Sequence, residues 1–221
     1  MSGMSDHPAA VPATRSLPAL RAAAAECEAC DLYRNATQTV FGAGARSAPI
    51  VMVGEQPGDV EDREGEPFVG PAGRLLERAM SEAGLPRSRV YLTNAVKHFK
   101  FRPVGKRRIH EKPDAEQLSA CRPWLRAELA AVRPQVVVVL GATAAATIVG
   151  RSFRVSRERG RVQEWANLVD RSPLTTEDGP PIDDALLVAT VHPSAVLRSR
   201  DRDTAYAEFV ADLRTVAELQ L

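Results

Sequence analysis

Four short apolar runs stand out along the chain, at residues 50–53, 90–95, 135–140 and 185–191. Each is too short for a buried helix and lacks the strict alternation of a half-exposed strand, so each is expected to be a strand buried on both faces. The segments between them carry helical spacing. In residues 71–84 the apolar positions Leu75, Leu76, Ala79, Met80 and Ala83 make the stripe of a helix lying on a sheet. Residues 17–26 read as an alanine-rich helix, 113–133 as a helix kinked or broken at Pro123, and 141–149 as a helix of small residues. A final amphipathic helix is expected over 203–219, with Phe209, Leu213 and Val216 inward. Strands alternating with helices predict an α/β fold. Residues 151–185 mix charge, proline and glycine, which predicts only irregular or hairpin structure. The first seventeen residues are rich in Ala, Pro and Ser and read as a disordered tail, leaving one domain over 18–221.

Ligands of open α/β sheets bind at the carboxyl ends of the strands, so the residues that end these runs carry the chemistry. Glu55 and Gln56 follow the first, and Pro57–Gly58 turns the chain there. A carboxylate in that place can orient a partner, stabilise positive charge or act as a base, or simply pair with an arginine. Asn94 ends the second run, where its amide is either the complement of an imide edge, N–H beside C=O, or part of an Asx turn. His192, followed by Pro193 and Ser194, ends the fourth. Residues 59–66 hold five acids in eight positions, which suits a metal site or a solvated loop. Phe68 follows as a lone aromatic before Gly70, either a shelf for a ligand or a core residue beneath the loop.

At 221 residues and net charge +1, whole-chain charge announces no polyanionic partner. Its distribution does. Between Lys97 and Lys112 there are seven lysines and arginines against one acid, with Phe99 and Phe101 among them, a pattern suited to nucleic acid. The segment 195–202 alternates small, apolar and basic residues and would suit a loop pressed into a groove. No apolar run approaches the roughly 20 residues that span a bilayer, and no leader pattern opens the chain. A cytoplasmic protein with no membrane partner is expected.

Three cysteines make no disulfide framework. Cys27 and Cys30 form a C-x-x-C pair after a helix rather than a strand, which argues against a thioredoxin-like site, and Cys121 is the third. A four-ligand site needs one more donor, for which His98 is the candidate. By spacing alone, this set holds zinc more readily than an iron–sulfur cluster. Residues 105–110, GKRRIH, lie between Pro103 and Pro113 and read as a loop pinned at both ends. Its arginines can hold phosphates. His110, beside so many cations, is biased to the neutral form, which can be a nucleophile.

The motifs GEQPG at 54–58, PFVGPAGRLL at 67–76, TNAVKH at 93–98, KRRIH at 106–110, ACRPWL at 120–125 and HPS at 192–194 together resemble the iron–sulfur uracil-DNA glycosylases of family 4. The resemblance implies a three-layer αβα fold around a four-stranded parallel sheet, with a [4Fe-4S] cluster on Cys27, Cys30, His98 and Cys121. Typical family-4 members have cysteine in place of His98, a small residue in place of Gln56, and no KRRIH insert. All three departures are similar to the branch called UdgX, in which the loop histidine, here His110, attacks C1′ of deoxyuridine and remains bound. The resemblance therefore implies His110, Glu55, His192 and Arg108 in catalysis, and Gln56, Asp59, Phe68, Asn94 and His192 around uracil. It puts Lys106, Arg107, Arg108, Ser194 and Arg198 on the DNA. A monomer acting on single- or double-stranded uracil-containing DNA is expected. An ordinary turnover glycosylase and a non-catalytic DNA-binding metalloprotein are the alternatives.

Overall fold

The computed structural model describes residues 9–182 and 184–219. The first eight residues of the expected tail therefore lie outside the described residues. Residues 9–16 form neither helix nor strand, but Ala9 and Val11 pack against the apolar cluster beneath helix α1, Leu17–Ala25.

Strand β1, Ile50–Gly54, lies inside the main sheet, paired in parallel with β2, Val90–Asn94. Between them the chain forms helices α2, Asp59–Glu64, and α3, Pro71–Ala83. Strands β3, Phe101–Val104, and β4, Arg107–His110, form a separate antiparallel ribbon. Helix α4, Ala115–Val132, leads into β5, Val136–Leu140, which pairs in parallel with the other side of β1. Helices α5, Ala142–Ile148, and α6, Val155–Glu158, precede β6, Val162–Glu164. Strand β7, Leu186–Thr190, is followed by α7, Pro193–Leu197, and α8, Arg202–Ala217.

The sheet order is β2-β1-β5-β7-β6. Four strands are parallel, as expected, but β6 adds an antiparallel edge to β7, drawn from the region that read as irregular. With only three residues and mixed polarity, β6 lacks the apolar run that marks the others.

Alternate residues of each parallel strand face opposite layers. Val51, Val53, Val137 and Val139 pack with Leu125 and Leu129 of α4 and Ala144 and Ile148 of α5. Ile50, Met52, Val136 and Val138 pack with Leu76 and Met80 of α3 and Phe209 and Leu213 of α8. Helices on both faces explain why these strands read as unbroken apolar runs. The expected α/β, three-layer αβα architecture is what the chain adopts.

Three local expectations are corrected. Residues 59–64 form a helix rather than an acidic loop, because Glu61 accepts hydrogen bonds from the backbone of Gly58 and Gly70 (3.2 and 2.9 Å) and Asp62 accepts from Thr37 N (3.0 Å). The acids are structural acceptors. Pro123 does not break α4, which runs on through it to Val132. GKRRIH is no loop: Val104 pairs with Arg107 across a two-residue turn, Gly105 supplying the positive φ of 57° such a turn needs.

Candidate active site

Strand order reverses on either side of the β1–β5 pair, and the crevice at such a switch point is where α/β sheets bind ligands. Glu55 leaves β1 on one side of it. Thr143, in the first turn of α5 after β5, donates its hydroxyl to Glu55 Oε2 across it. Register places Asn94 opposite Gly54. A β-carbon at Gly54 would lie 2.4 Å from Asn94 Oδ1 and 2.7 Å from Phe68 Cζ, so Gly54 is the floor on which the amide and the aromatic ring converge. Phe68 takes a left-handed backbone conformation, φ 60°, uncommon for a residue with a side chain. Gly73 permits it, since a β-carbon there would meet Phe68 O at 1.7 Å. Phe68 is partly buried and packs against the core beneath it. Asn94 is buried, yet among the described residues its side-chain amide bonds to no other group.

His192 faces Phe68, with 6.3 Å between ring centroids. It is the N-cap of α7, and Ser194 N donates to its Nδ1 (3.2 Å). A backbone N–H can only donate, so Nδ1 carries the lone pair and Nε2 carries the proton. Burial, with His110 and Arg198 nearby, pushes the ring's pKa down to about 4. At neutral pH His192 is a fixed, uncharged N–H donor. Ser194 is thus occupied in orienting His192, while exposed Arg198 stands beside both histidines at the mouth.

His110 ends β4, half exposed, with Nε2 3.5 Å from Glu55 Oε1. The contact is too long for a strong hydrogen bond. It also puts Glu55 beside Nε2, the nitrogen that faces the crevice, rather than behind the ring. Gln56 anchors the ribbon: its Oε1 accepts from Lys100 N (3.0 Å), while Nε2 donates to Glu111 O (2.8 Å) and Lys100 O (3.2 Å). These backbone partners fix which end of the amide is nitrogen, and it is the nitrogen that lies 2.9 Å from His110 Nε2. Both amide protons already go to carbonyls, so this contact holds the ring beside Glu55 without fixing its tautomer. Burial lowers the His110 pKa, Glu55 opposes that, and the charges of Arg198 and Lys112 reinforce it.

Arg108 departs from its expected roles. Its guanidinium pairs with Asp59, donates to Asp62 Oδ2 (2.6 Å) and Thr37 Oγ1 (3.1 Å), and lies 5.0 Å from the Phe101 ring centroid and 5.5 Å from that of Phe99. Four of its five N–H groups go to Asp59, Asp62 and Thr37, so it serves first as an internal clamp. It pins the ribbon to α2. Asp59 pairs with Arg108, and Gln56 spends its amide on the backbone of Lys100 and Glu111 beside His110. Lys97 is likewise internal, only 1% exposed. Lys106 and Arg107, at the ribbon's turn, are the exposed cations of the motif.

Cys27, Cys30 and Cys121 border one apolar cluster between α1 and α4. Trp124 Nε1 donates to Cys27 Sγ (3.1 Å) and Lys97 N to Cys121 Sγ (3.2 Å). Burial pushes the Cys121 thiol up to about 12, which makes it inert by itself. Among the described residues no three His, Cys, Asp or Glu side chains come close enough to hold a single metal ion. Zinc and a multi-iron cluster both draw on this donor set. The donor chemistry fits such a group. Thr39 gives its hydroxyl proton to Ala24 O (3.0 Å), so it must accept from His98 Nε2–H (2.9 Å). His98 Nδ1 keeps the lone pair a ligand needs, the arrangement expected of a metal-binding histidine, and burial lowers the ring's pKa to about 4.

Sequence reasoning missed Thr143, Thr39 and the Asp59–Arg108–Asp62 clamp. Thr143 had a signal, its position in the first turn after β5 at the switch point. The clamp had none, because its partners are 46 and 49 residues apart.

Comparison with known proteins gives a consistent picture. The family model described as the Uracil DNA glycosylase superfamily matches residues 41–214. The chain is 36% identical over 179 residues to a type-4 uracil-DNA glycosylase of Thermotoga maritima, covering 80% of this chain and 81% of that one. It is 36% identical over 200 residues to one from Archaeoglobus fulgidus, covering 87% of each. A type-4 uracil-DNA glycosylase of Pyrobaculum aerophilum is 32% identical over 187 residues, covering 85% of this chain and 86% of that one.

Proposed function

Because the chain belongs to the uracil-DNA glycosylase superfamily, we propose that it excises uracil from DNA and is captured by its own substrate as a His110–C1′ adduct, as in the UdgX branch. A flipped uracil would stack on Phe68 with its N3–H and O4 against the Asn94 amide and its O2 against His192 Nε2–H. Flipping is required because C1′ is shielded in a stacked duplex. Cytosine inverts the pattern at N3 and N4 and would leave both ends of a buried amide unmatched, which is a strong basis for rejection.

The reaction then divides among groups already in place. As the C1′–N1 bond breaks, the electron pair departs with uracil, and His192 Nε2–H stabilises the charge that gathers at O2. The sugar becomes oxocarbenium-like, as in glycoside cleavage, and the Glu55 carboxylate stabilises it. His110 Nε2 donates its lone pair to C1′, and the resulting imidazolium loses its Nδ1 proton to water. What remains is a neutral N-alkyl imidazole, a poor leaving group. The observation that carries this reading is the place of His110 Nε2 at the crevice, 3.5 Å from Glu55 Oε1. A ring held there has the advantage of proximity over water.

Cys27, Cys30, His98 and Cys121 would hold a [4Fe-4S] cluster, which supplies a structural cross-link among α1, α4 and the segment after β2. Exposed Lys106, Arg107 and Arg198 would meet the DNA phosphates.

Denaturing electrophoresis with uracil-containing single-stranded DNA tests the proposal. A shift stable to heat and detergent supports capture; an alkali-labile nick without a shift means ordinary turnover; neither means binding only.

A further inference from the structure

Behind Asn94 lies a buried charge network that none of the roles above uses. Lys97 is 1% exposed and Glu128, on α4, is fully buried. The Lys97 ammonium has three N–H groups. One goes to Glu128 Oε2, one to Thr93 Oγ1 (2.7 Å) and one to the backbone carbonyl of Asn94 (2.7 Å). Glu128 is saturated in turn, accepting from Gly42 N (2.9 Å), Tyr91 OH (2.9 Å) and Thr93 Oγ1 (2.9 Å to Oε2). A well-packed apolar pair would cost less than two buried charges, so such a pair is weak evidence for stability and better evidence for a positional role.

The position it fixes is specific. Asn94 is the last residue of β2, its own side chain is held by no neighbour, and strand pairing ends at Asn94 on that side of the pocket. The backbone beyond it turns at once, Ala95 N and Val96 N donating to Gly54 O and Glu55 O. An amide that must present oxygen and nitrogen in one plane to a base edge depends on its own backbone being immobile. The Lys97 bond to the Asn94 carbonyl supplies that.

We infer that Lys97, backed by Glu128, is a positioning residue for base recognition, setting the Asn94 amide against the Watson–Crick edge of the flipped base. This rests on the reading of Asn94 as the base reader. Removing Lys97 alone would strand a buried carboxylate and could unfold the domain, so the informative variant is the double one, Lys97→Met with Glu128→Gln, which removes both charges at similar volume.

The probe is a pair of oligonucleotides carrying 2′-fluoro-2′-deoxyuridine or 2′-fluoro-2′-deoxycytidine, whose glycosidic bonds resist cleavage, with binding followed by fluorescence anisotropy on the full chain. The ratio of the two dissociation constants does not depend on how much protein is folded, so a merely structural role leaves it unchanged. The expected result is a ratio that falls roughly tenfold in the double variant, comparable to losing one well-made hydrogen bond, and at least as far in Asn94→Ala. An unchanged ratio in the double variant, with a collapsed ratio in Asn94→Ala, overturns the role of Lys97 and leaves Asn94 standing. Unchanged ratios in both overturn the reading of Asn94 and the positioning role with it.

Discussion

Glu55, Asn94 and His192 come from the ends of β1 and β2 and from just past β7, so backbone pairing inside a five-stranded sheet sets their spacing. His110 ends a two-stranded ribbon that shares no ladder with that sheet. Isolated two-stranded ribbons are marginal in water, and this one is held by side chains: Gln56 at its base, Arg108 against Asp59 and Asp62 along its face, and a stacked Phe99–Phe101 pair with centroids 5.1 Å apart. The pocket that would hold the base is thus a property of the fold, whereas the placement of the nucleophile is a property of a few polar contacts. Substitutions in the ribbon should therefore separate capture from base recognition, and substitutions at the strand ends should not.

The largest separation is expected from His110→Ser. Opening the space to water should abolish the detergent-stable complex while some uracil release persists, both read on one gel. Arg108→Ala comes next. It frees the ribbon and leaves buried Asp62 without its cation, and misplacing a nucleophile by about 1 Å can cost roughly 100-fold. The single-turnover rate of adduct formation should fall by about that factor, with discrimination between the two 2′-fluoro strands unchanged. Gln56→Ala removes the amide packed 2.9 Å from His110 Nε2 and three bonds to the backbone at the ribbon's base. A slowing of roughly tenfold is expected from the loss of about 1–2 kcal/mol, again in adduct formation rather than in base discrimination.

The smallest effect is one of pH. His110 must be neutral to attack, and its pKa is lowered from the ordinary 6.5, so the rate of capture should fall as pH drops, with its midpoint below 6.5. His192 adds a stability counterpart. Its folded pKa of about 4 lies below the unfolded 6.5, so between those values the unfolded chain binds the extra proton. Stability contributed by neutral His192 is complete above 6.5 and lost as pH falls towards 4. The melting temperature should decline over that window, less steeply in His192→Asn.

The same division governs what the sequence made legible. The four parallel strands announce themselves as apolar runs, and the switch-point rule then picks out Glu55, Asn94 and His192 without reference to anything distant. The ribbon reads as a loop in the sequence because RRIH offers no apolar alternation, although Val104-Gly105-Lys106-Arg107 has the glycine that a two-residue turn requires. Arg108 and Lys97 read as members of a basic surface because composition counts charges without seeing their partners. One meets acids on α2 and the other a glutamate on α4. Edge strand β6 escaped because three residues of mixed polarity carry no periodic signal.

Peptide mapping of the trapped species by mass spectrometry tests the central claim most directly, because it asks which atom holds the DNA. Wild-type protein incubated with uracil-containing single-stranded DNA, digested with nuclease and protease, should yield a peptide bearing a deoxyribose remnant on His110 and no other modified peptide. A remnant on a different residue, or unmodified His110 in a complex that survives detergent and heat, would contradict the account.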